Sequence, residues 1–461
     1  MKLLFFSLFS LLLLFSFPPF NLGFLAWIAF IPFLWGLEKC NIREAISLSF
    51  ISGMLFYLFH LKWLIKITRL GYFSLSLYLS FYFLLFGYLC KVCRMNYLIP
   101  SFWIILEWLR SFLFTGFLWS PLCASQYRYP FFLKILPYTG GWGLSYLLLL
   151  SNVSLFTLIK TKKKKHILPL FALLLFLLLP SPEGKETKTL KVQVIQPCIP
   201  SFEKWMRKEN LLPFYLRLAG MKSKVEMVIF PESILPIPLN EREEIKEEIE
   251  SWTKERNLSL LLGAFSREDG KEYNSIYFWE KGKLKGVYRK YKLVPFGEYL
   301  PFRRIFPFLE KILPPIGDFS PGKKVEIFEI KKIKFAPFIC FENLFPYLFR
   351  KARSASLIII ATDDSWFGEW ALSQHFSHTV IRAAECRKCF LQVGNTGITG
   401  WVDEMGRIKK SLRPNKRSTE EWEITLTPLP SPPYLRWGDW FIFFNLAILC
   451  SIPFFLRILV I

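Results

Sequence analysis

The first 180 residues of this 461-residue chain contain closely spaced apolar segments that are too long for the core of a soluble domain. A helix needs about 20 mostly apolar residues to cross a bilayer. Segments of roughly this length predict seven spans before residue 181 and one near the C-terminus, at 3–20, 22–38, 45–62, 72–90, 97–117, 138–159, 166–180 and 440–459. We therefore expect a multispan α-helical membrane domain over 1–180 and a C-terminal transmembrane helix over 439–461.

Charge is distributed unevenly along the chain, whose net charge is +23. Residues 1–180 contain 16 Lys and Arg but only 3 Asp and Glu. Basic residues that flank apolar spans favour contact with anionic lipid headgroups, and no nucleic-acid-reading motif accompanies them. Because basic loops concentrate on the cytoplasmic side, the loops at 39–43, 91–94 and 160–165 predict a cytoplasmic N-terminus, against one contrary basic loop at 62–69. Residues 181–438 are then extracytoplasmic.

Residues 181–438 have the pattern of a separate α/β domain, entered through a Pro- and Gly-containing linker that begins at Pro180. Two amphipathic helices are predicted at 239–256 and 373–388. Buried strands are predicted at Lys191–Ile195, Glu226–Phe230, Leu258–Phe265, Gly286–Lys290, Ile333–Cys340, Leu357–Thr362 and Cys389–Val393. Alternation of strands and helices predicts helices that cover sheets.

Cys340 is the first candidate catalytic residue, because it lies at the end of a predicted strand that is formed by an apolar, β-prone run. A free cysteine is often simply a buried packing residue, so the thiol alone does not establish a site. Glu342 follows two residues later, and the period-two geometry of an extended chain would place both side chains on one side.

The other cysteines give no clear site. The chain has nine cysteines, and the two Cys-x-x-Cys pairs, Cys90/Cys93 and Cys386/Cys389, do not combine into a metal-binding pair of pairs in the sequence. We expect neither a metal nor an organic cofactor, and no disulfide framework can be inferred.

Two further strand ends carry ionisable residues. Glu232 follows the apolar run that ends in FPES, and Lys290 ends the strand that leads into YKLVPFGEYLP. Taken alone, Glu232 is explained equally well as a helix cap, and Lys290 is explained better as an ordinary surface lysine. Together with Cys340, however, they supply a base, a cation and a thiol, the groups that activate a sulfur nucleophile and stabilise an oxyanion.

The strings FPES, YxKxxLVPFGEYxP and ICFE, in that order, resemble the nitrilase superfamily. Two further strings narrow the resemblance: EWLRSFLFTGFLW at 107–119 and DDSWFGEW…QH…RAAE…NTGITGWVDEMG at 363–406. With the multispan N-terminal half and the last span, the chain resembles the apolipoprotein N-acyltransferase family along nearly its whole length.

The resemblance implies a multi-pass enzyme of the bacterial inner membrane, with a nitrilase-like αββα sandwich over 181–438 on the periplasmic side. Such an enzyme transfers an acyl chain from the sn-1 position of a phospholipid, through a cysteine thioester, to the N-terminal amine of a diacylglyceryl apolipoprotein. This is the last step of bacterial lipoprotein maturation. The implied partners are the phospholipid donor, the apolipoprotein acceptor and the membrane.

The resemblance also implies roles for individual residues. Glu232 matches the general base, Lys290 the oxyanion-stabilising lysine and Cys340 the nucleophile. The residues that match supporting positions are Glu298, Glu342, Phe341 and Asn395, and those that match substrate-binding positions are Trp205, Trp366 and Phe367.

Two positions depart from the family pattern, and one long segment has no predicted element. Phe341 stands where the family commonly has Tyr, and Asp363 stands where it has Asn. We expect altered preference or rate from these changes, with the chemistry retained. The Pro- and aromatic-rich segment 297–322 either packs on the domain or forms a gate that dips into the membrane interface.

Two other functions fit parts of the sequence. A membrane-tethered amidase or nitrilase would use the same three residues, but it leaves the seven spans and the EWLR string unexplained. A non-catalytic lipoprotein-binding protein on an enzyme scaffold would not need the complete set of Glu232, Lys290, Cys340 and Glu298.

Overall fold

The chain forms two compact units in a computed structural model that describes residues 1–93, 95–171, 178, 184, 187–207, 211–220, 224–301, 303, 305 and 317–458. The first unit comprises Met1–Pro182, Phe367–Cys386 and Ser431–Ile461. The second comprises Glu183–Trp366 and Arg387–Pro430. Half of the proposed gate at 297–322 falls outside the described residues, and the gate stays a prediction.

The helices, numbered in chain order, are α1 (Lys2–Ser16), α2 (Phe30–Glu38), α3 (Ile42–His60), α4 (Arg69–Val92), α5 (Ile99–Arg110), α6 (Pro130–Leu133), α7 (Leu136–Thr139), α8 (Gly141–Thr161), α9 (Ser201–Met206), α10 (Leu212–Ala219), α11 (Glu243–Glu255), α12 (Pro346–Lys351), α13 (Glu369–Cys386), α14 (Pro433–Trp437) and α15 (Trp440–Ile458). Short 3₁₀ turns occupy Gly23–Trp27, Lys62–Lys66, Asn96–Leu98, Leu122–Gln126, Lys164–Ile167, Leu239–Glu241, Cys340–Leu344 and Asp364–Trp366.

Three helices of the described first unit, α3, α4 and α8, are long and apolar enough to cross a membrane. The predicted count of seven spans is therefore supported only in part. The predicted span 3–20 ends as a helix at Ser16, just before Pro18 and Pro19, because proline cannot continue the hydrogen-bond ladder. The predicted span 166–180 lies mostly outside the described residues.

The predicted span 97–117 is a helix only as far as Arg110. Phe114 and Gly116 follow with positive φ angles of 59° and 74°, which are incompatible with a right-handed helix. The apolar composition of this stretch predicted a longer helix than the backbone forms. Its hydrophobic residues continue beyond the helix in irregular chain.

Helix α13 packs within the first unit, although the sequence-based division placed it in the domain 181–438. Gln374 accepts a hydrogen bond of 2.8 Å from the indole N–H of Trp119, and Glu385 accepts one of 2.6 Å from the backbone N–H of Gly141. These buried polar contacts satisfy groups that would otherwise be costly to remove from water. Hydropathy does not reveal such pairings, so the sequence boundary missed them.

The second unit contains the strands β1 (Lys188–Gln196), β2 (Met227–Ile229), β3 (Leu235–Pro238), β4 (Ser259–Glu268), β5 (Lys271–Glu280), β6 (Lys283–Arg289), β7 (Phe328–Ile330), β8 (Ile333–Ile339), β9 (Leu357–Thr362), β10 (Cys389–Gly394), β11 (Gly400–Val402), β12 (Ile408–Ser411) and β13 (Ser418–Leu426). One sheet has the order β13-β1-β2-β4-β5-β6, with β3 paired to β4. The other has the order β12-β11-β10-β9-β8-β7.

The two mixed sheets stack through their apolar faces, and helices pack on their outer sides. Phe278 of β5 and Phe335 of β8 meet across the sheets with ring centroids 5.0 Å apart. Helices α10 and α11 bury their apolar faces in one core with β2 and β4 of the first sheet. Phe349 of α12 contacts Phe390 of β10 at 5.3 Å. The predicted αββα sandwich is confirmed.

The strands that the sequence predicted are confirmed, and β5 is among the strands that it missed. Strands β9 and β10 are buried along their whole length, as interior strands are, and both are apolar apart from Thr362 and Gln392. Strand β5, KEYNSIYFWE, contains polar residues within its buried part and was not predicted. That omission matters, because β5 contributes to the site.

Ile249 tests the packing of α11 on the first sheet. Its side chain is fully buried in the core, so Ile249→Ala should lower the free energy of unfolding by about 2–5 kcal/mol. The exposed neighbour Glu248 on the same helix provides the control, and Glu248→Ala should change stability by no more than about 0.5 kcal/mol. Denaturation in detergent measures both; equal effects would contradict this packing.

Candidate active site

Three strand ends of the second unit carry the predicted base, cation and nucleophile. Glu232 lies three residues beyond β2, Lys290 directly follows β6, and Cys340 directly follows β8. All three side chains are buried. The carboxylate and the ammonium group lie 3.5 Å apart, and the charges of both act on the Cys340 thiol. The structure therefore brings the three residues into one cluster.

Lys290 lies between two carboxylates. Its Nζ donates a hydrogen bond of 2.8 Å to Glu298 Oε1 and a longer one of 3.5 Å to Glu232 Oε1. Burial by itself lowers the pKa of a lysine, but the charges of Glu298 and Glu232 outweigh this effect and raise the pKa of Lys290 above its ordinary value. Lys290 is therefore a permanent ammonium ion at neutral pH.

Asn274, in the middle of β5, connects the two carboxylates. Its Nδ2 donates to Glu232 Oε1 at 2.8 Å and to Glu298 Oε1 at 2.9 Å. The other oxygen of Glu298 accepts from the backbone N–H of Val294 at 2.7 Å. Asn274 was missed by the sequence reasoning. The available signal was an amide within the otherwise apolar run YNSIYFW, where burial demands hydrogen-bond partners.

Glu232 has a pKa above its ordinary value, which suits a base that works near neutral pH. Burial is the main cause, and the nearby charges of Glu298 and Asp363 add to it, while Lys290 acts in the opposite direction. Its second oxygen, Oε2, accepts a hydrogen bond of 2.8 Å from the backbone N–H of Asp363. Both oxygens are thus held in place.

Cys340 adopts a left-handed backbone conformation, with φ +48°, at the junction of β8 and the following turn. A non-glycine residue in this region is strained and often marks a functional position. The side chain is only 5% exposed, and burial raises the pKa of the thiol well above its ordinary value. The charge of Glu232 raises this pKa further and Lys290 lowers it. Attack by the sulfur therefore requires a base to remove the proton.

Glu342 supports the backbone around Cys340. Its carboxylate accepts from the backbone N–H groups of Ile339, Tyr291 and Lys292 at 2.7, 2.8 and 3.0 Å, and from the Tyr288 hydroxyl at 2.7 and 2.8 Å. The period-two expectation for Cys340 and Glu342 is wrong, because Cys340–Leu344 forms a 3₁₀ turn instead of continuing the strand. Burial raises the pKa of Glu342 to about 7.

Phe341 and Asn395 occupy buried positions in the same unit. The Phe341 ring packs edge-on against Phe345 at 5.2 Å, an apolar contact at the position where the family pattern has a hydroxyl. Asn395 exchanges hydrogen bonds with the backbone of Ile199 at 2.7 and 3.0 Å, and its Nδ2 also donates to Asp363 Oδ1 at 3.0 Å. Asn395 thus connects the end of β10 with the segment that precedes α9.

The three predicted substrate-binding aromatics belong to different units. Trp205 on α9 and Trp366 lie in the second unit and are 49% and 56% exposed, which is unusual for tryptophan. Phe367 lies in the first unit, where it contacts Trp63 at 4.8 Å and Trp119 at 5.6 Å. Their predicted roles in substrate binding stay predictions.

Two family models match this chain. The model described as the apolipoprotein N-acyltransferase N-terminal domain matches residues 9–154, and the carbon-nitrogen hydrolase model matches residues 191–426. The second match contains Glu232, Lys290 and Cys340. A relative named apolipoprotein N-acyltransferase, from Geobacter metallireducens, is 33% identical over 94% of this chain and 91% of its own length. The chain belongs to the apolipoprotein N-acyltransferase family.

Two further relatives of this family match most of the chain. One, from Thermotoga maritima, is 28% identical over 94% of this chain and 89% of its own length. The other, from Aquifex aeolicus, is 31% identical over 86% of this chain and 92% of its own length. Because these matches cover both units, the similarity is not confined to the hydrolase-like half.

Asn274→Leu tests whether the amide positions the two carboxylates. The variant removes one hydrogen-bond donor from each of two buried carboxylate oxygens, Glu232 Oε1 and Glu298 Oε1, and leaves Lys290 as their remaining donor. This loss should lower the free energy of unfolding by about 1–3 kcal/mol. Misplacing Glu232 should also slow alkylation of Cys340 by iodoacetamide at least about tenfold. The control is Asn240→Ala, which removes hydrogen bonds to the backbone of Arg267 at an exposed position. If Asn274→Leu reacts at the control's rate, the positioning role is wrong.

Proposed function

We propose that this chain transfers a fatty acyl group from the sn-1 position of a phospholipid, through a thioester on Cys340, to the N-terminal amine of a diacylglyceryl apolipoprotein. The family membership supports N-acyl transfer as the reaction class. The observation that supports a covalent route most directly is the buried cluster of Glu232, Lys290 and Cys340. A thiol beside a raised-pKa carboxylate and an ammonium ion is suited to acyl transfer.

In the first half-reaction, Glu232 accepts the proton of the Cys340 thiol while the sulfur attacks the ester carbonyl carbon. The carbonyl oxygen becomes an oxyanion in a tetrahedral intermediate. When this intermediate collapses, the C–O bond breaks and the lysophospholipid alkoxide leaves, taking the proton from Glu232. The acyl chain remains on Cys340 as a thioester, and the carboxylate is regenerated.

Lys290 supplies the positive charge that stabilises the oxyanion. An ammonium group has three N–H donors, and the two carboxylates accept from two of them. The third donor is proposed to bind the oxyanion, together with backbone N–H groups of the turn Cys340–Leu344. Loss of one such donor typically slows an acyl transfer about 10²–10³-fold.

In the second half-reaction, the acceptor amine attacks the thioester carbonyl and Glu232 removes a proton from the nitrogen. The C–S bond then breaks, an amide forms, and the sulfur recovers its proton from Glu232. A ping-pong order follows, since the lysophospholipid leaves before the acceptor reacts. Burial of the thioester protects it from water.

The proposed location is the bacterial inner membrane, with the domain 181–438 on the periplasmic side. The helices α3, α4 and α8, together with the basic loops, support a multi-pass arrangement. Trp205 and Trp366 expose large aromatic surfaces and are proposed to contact the lipid substrates, as is Phe367 of the first unit. An amphipathic aromatic side chain suits a site at the membrane interface.

The acyl-enzyme is the decisive test. We expect the full-length protein, incubated with a phospholipid carrying palmitoyl at sn-1 and oleoyl at sn-2 but no acceptor, to gain the mass of one palmitoyl group. Neutral hydroxylamine should remove the adduct, because it cleaves thioesters. Intact-protein mass spectrometry measures both outcomes, and addition of a diacylglyceryl peptide should transfer the palmitoyl group to its amine.

Two variants provide the controls for this measurement. Cys340→Ala should abolish the adduct, whereas Cys198→Ala, which removes a half-buried thiol of the same unit, should retain it. If the wild-type protein forms no adduct but hydrolyses small amides, the alternative function of a membrane-tethered amidase is supported. If neither protein transfers an acyl group and Cys340→Ala still binds the acceptor, the alternative function of a non-catalytic lipoprotein-binding protein is supported.

The pKa of Glu232 predicts how acyl-enzyme formation depends on pH. Only the deprotonated carboxylate accepts the thiol proton, and its pKa lies above the ordinary 4.5 because the group is buried. We therefore expect the rate to fall as pH decreases, by up to about tenfold per unit below that pKa, and to begin falling at a higher pH than an exposed glutamate would give. Glu232→Gln should remove this limb from the pH profile. A profile unchanged by the substitution would contradict the assignment of the base.

A further inference from the structure

Lys204 and Asp363 form a buried ion pair beside the candidate site. Their charged groups are in direct hydrogen-bonding contact, and the two side chains are only 3% and 7% exposed. An exposed pair of the same unit, Arg267 with Glu241, is 45% and 47% exposed. Water screens the exposed pair, whereas the buried pair interacts at close to full strength.

The buried pair contacts both the carboxylate of Glu232 and the backbone of the residue that follows it. The backbone N–H of Asp363 donates to Glu232 Oε2 at 2.8 Å. The ammonium group of Lys204 also donates to the backbone carbonyl of Ser233, the next residue along the chain, at 3.3 Å. Lys204 therefore connects the residue that holds the Glu232 carboxylate with the backbone from which Glu232 projects.

Asp363 remains ionised in this setting. Burial raises the pKa of a carboxyl group, but Lys204 outweighs burial and holds the pKa of Asp363 below its ordinary value. The hydrogen bond that Asn395 Nδ2 donates to Asp363 Oδ1 at 3.0 Å lowers this pKa further, as does the Ser365 side chain. The backbone N–H of Ser365 also donates to Oδ1 at 3.3 Å. Two carboxylates, Asp363 and Glu232, are thus joined through one backbone N–H.

A second buried carboxylate next to a catalytic base is costly unless a cation accompanies it. Removal of one partner from a buried ion pair leaves an uncompensated charge, whereas replacement of both partners by neutral groups is often tolerated. Without Lys204, the Asp363 carboxylate would turn toward solvent or take up a proton. Either change would move the backbone N–H of Asp363 away from Glu232. Lys204 prevents this displacement.

We propose that Lys204 is a positioning residue for Glu232, and that it makes a carboxylate at position 363 compatible with a base beside it. This inference rests on the proposed function only in taking Glu232 as the base. It explains how the chain accommodates a charge where the family pattern has Asn. Lys204 itself does not contact the reacting atoms; it acts through Asp363 and Ser233.

The proposal predicts an asymmetry among four variants of the full-length protein in detergent. Lys204→Met, which removes the ion-pair partner of the buried Asp363 carboxylate, should slow alkylation of Cys340 by iodoacetamide about 10- to 100-fold. Asp363→Asn should change the rate less than about threefold, since the amide oxygen still accepts from Lys204. The double variant, which removes both charges, should react within about fivefold of Asp363→Asn. Lys204→Arg should stay close to wild type.

Peptide-resolved mass spectrometry isolates the Cys340 rate from those of the other cysteines, and thermal unfolding is measured on the same samples. A purely structural pair would lower the melting temperature of Lys204→Met while folded protein still alkylates at the wild-type rate, and that result overturns the proposal. Arg267→Met, which breaks the exposed pair, controls for loss of any ion pair and should leave the rate unchanged.

If Lys204→Met does not fold, the double variant still tests the positioning role of Lys204. Recovery to within about fivefold of Asp363→Asn supports the proposal, and a double variant more than about tenfold slower overturns it. The alkylation assay uses no lipid. Its outcome is therefore independent of the acyl-enzyme experiment, and failure of acyl transfer from phospholipid is distinguishable from failure of the positioning role.

Discussion

An ammonium ion enclosed by two carboxylates is the interaction on which the rest of the site depends. Lys290 is buried, and a buried charge is tolerated only where opposite charges and hydrogen bonds replace its hydration. Glu232 and Glu298 supply the charges, and Asn274 donates a hydrogen bond to each of the two carboxylates. The need to surround the buried ammonium group constrains the fold. The four residues come from β5, from the ends of β2 and β6 and from the loop after β6. They meet only because the sheet has the observed strand order.

Cys340, the proposed nucleophile, depends on its backbone conformation. A residue with φ near +48° stores strain of about 1–3 kcal/mol and persists only where its surroundings hold it. At Cys340 the turn that follows is held by Glu342, which accepts hydrogen bonds from the backbone on either side of the cluster. The positive φ ends the extended path of β8 at Cys340, where the 3₁₀ turn begins. Nearby charges thus shift the pKa values of the site, and the backbone turn fixes where Cys340 lies.

The sequence predicted the parts of the fold and site that depend on local pattern, and missed those that depend on pairing between distant residues. Strands such as Leu357–Thr362 are apolar along their whole length, so their position and the residues at their ends could be read directly. Asn274 could not, because its partners are 42 and 24 residues away and β5 lacks a clean apolar pattern. Lys204 is equally hidden, since nothing in EKW indicates that its partner is Asp363. The prediction that Cys340 and Glu342 lie on one side of an extended chain was wrong, because the alternation of side chains ends with the strand and a turn begins at Cys340.

Glu342 has a consequence for how the site moves. One carboxylate accepts hydrogen bonds both from the N–H of Ile339, which precedes Cys340, and from the N–H groups of Tyr291 and Lys292, which follow Lys290. Thermal displacement of either segment is therefore transmitted to the other, and the two shift together instead of separating. Because Glu342 holds both segments, it limits changes in the distance between the Cys340 sulfur and the Lys290 ammonium group. We expect collective motions of the two sheets to move the cluster as a whole more than they change the distances within it.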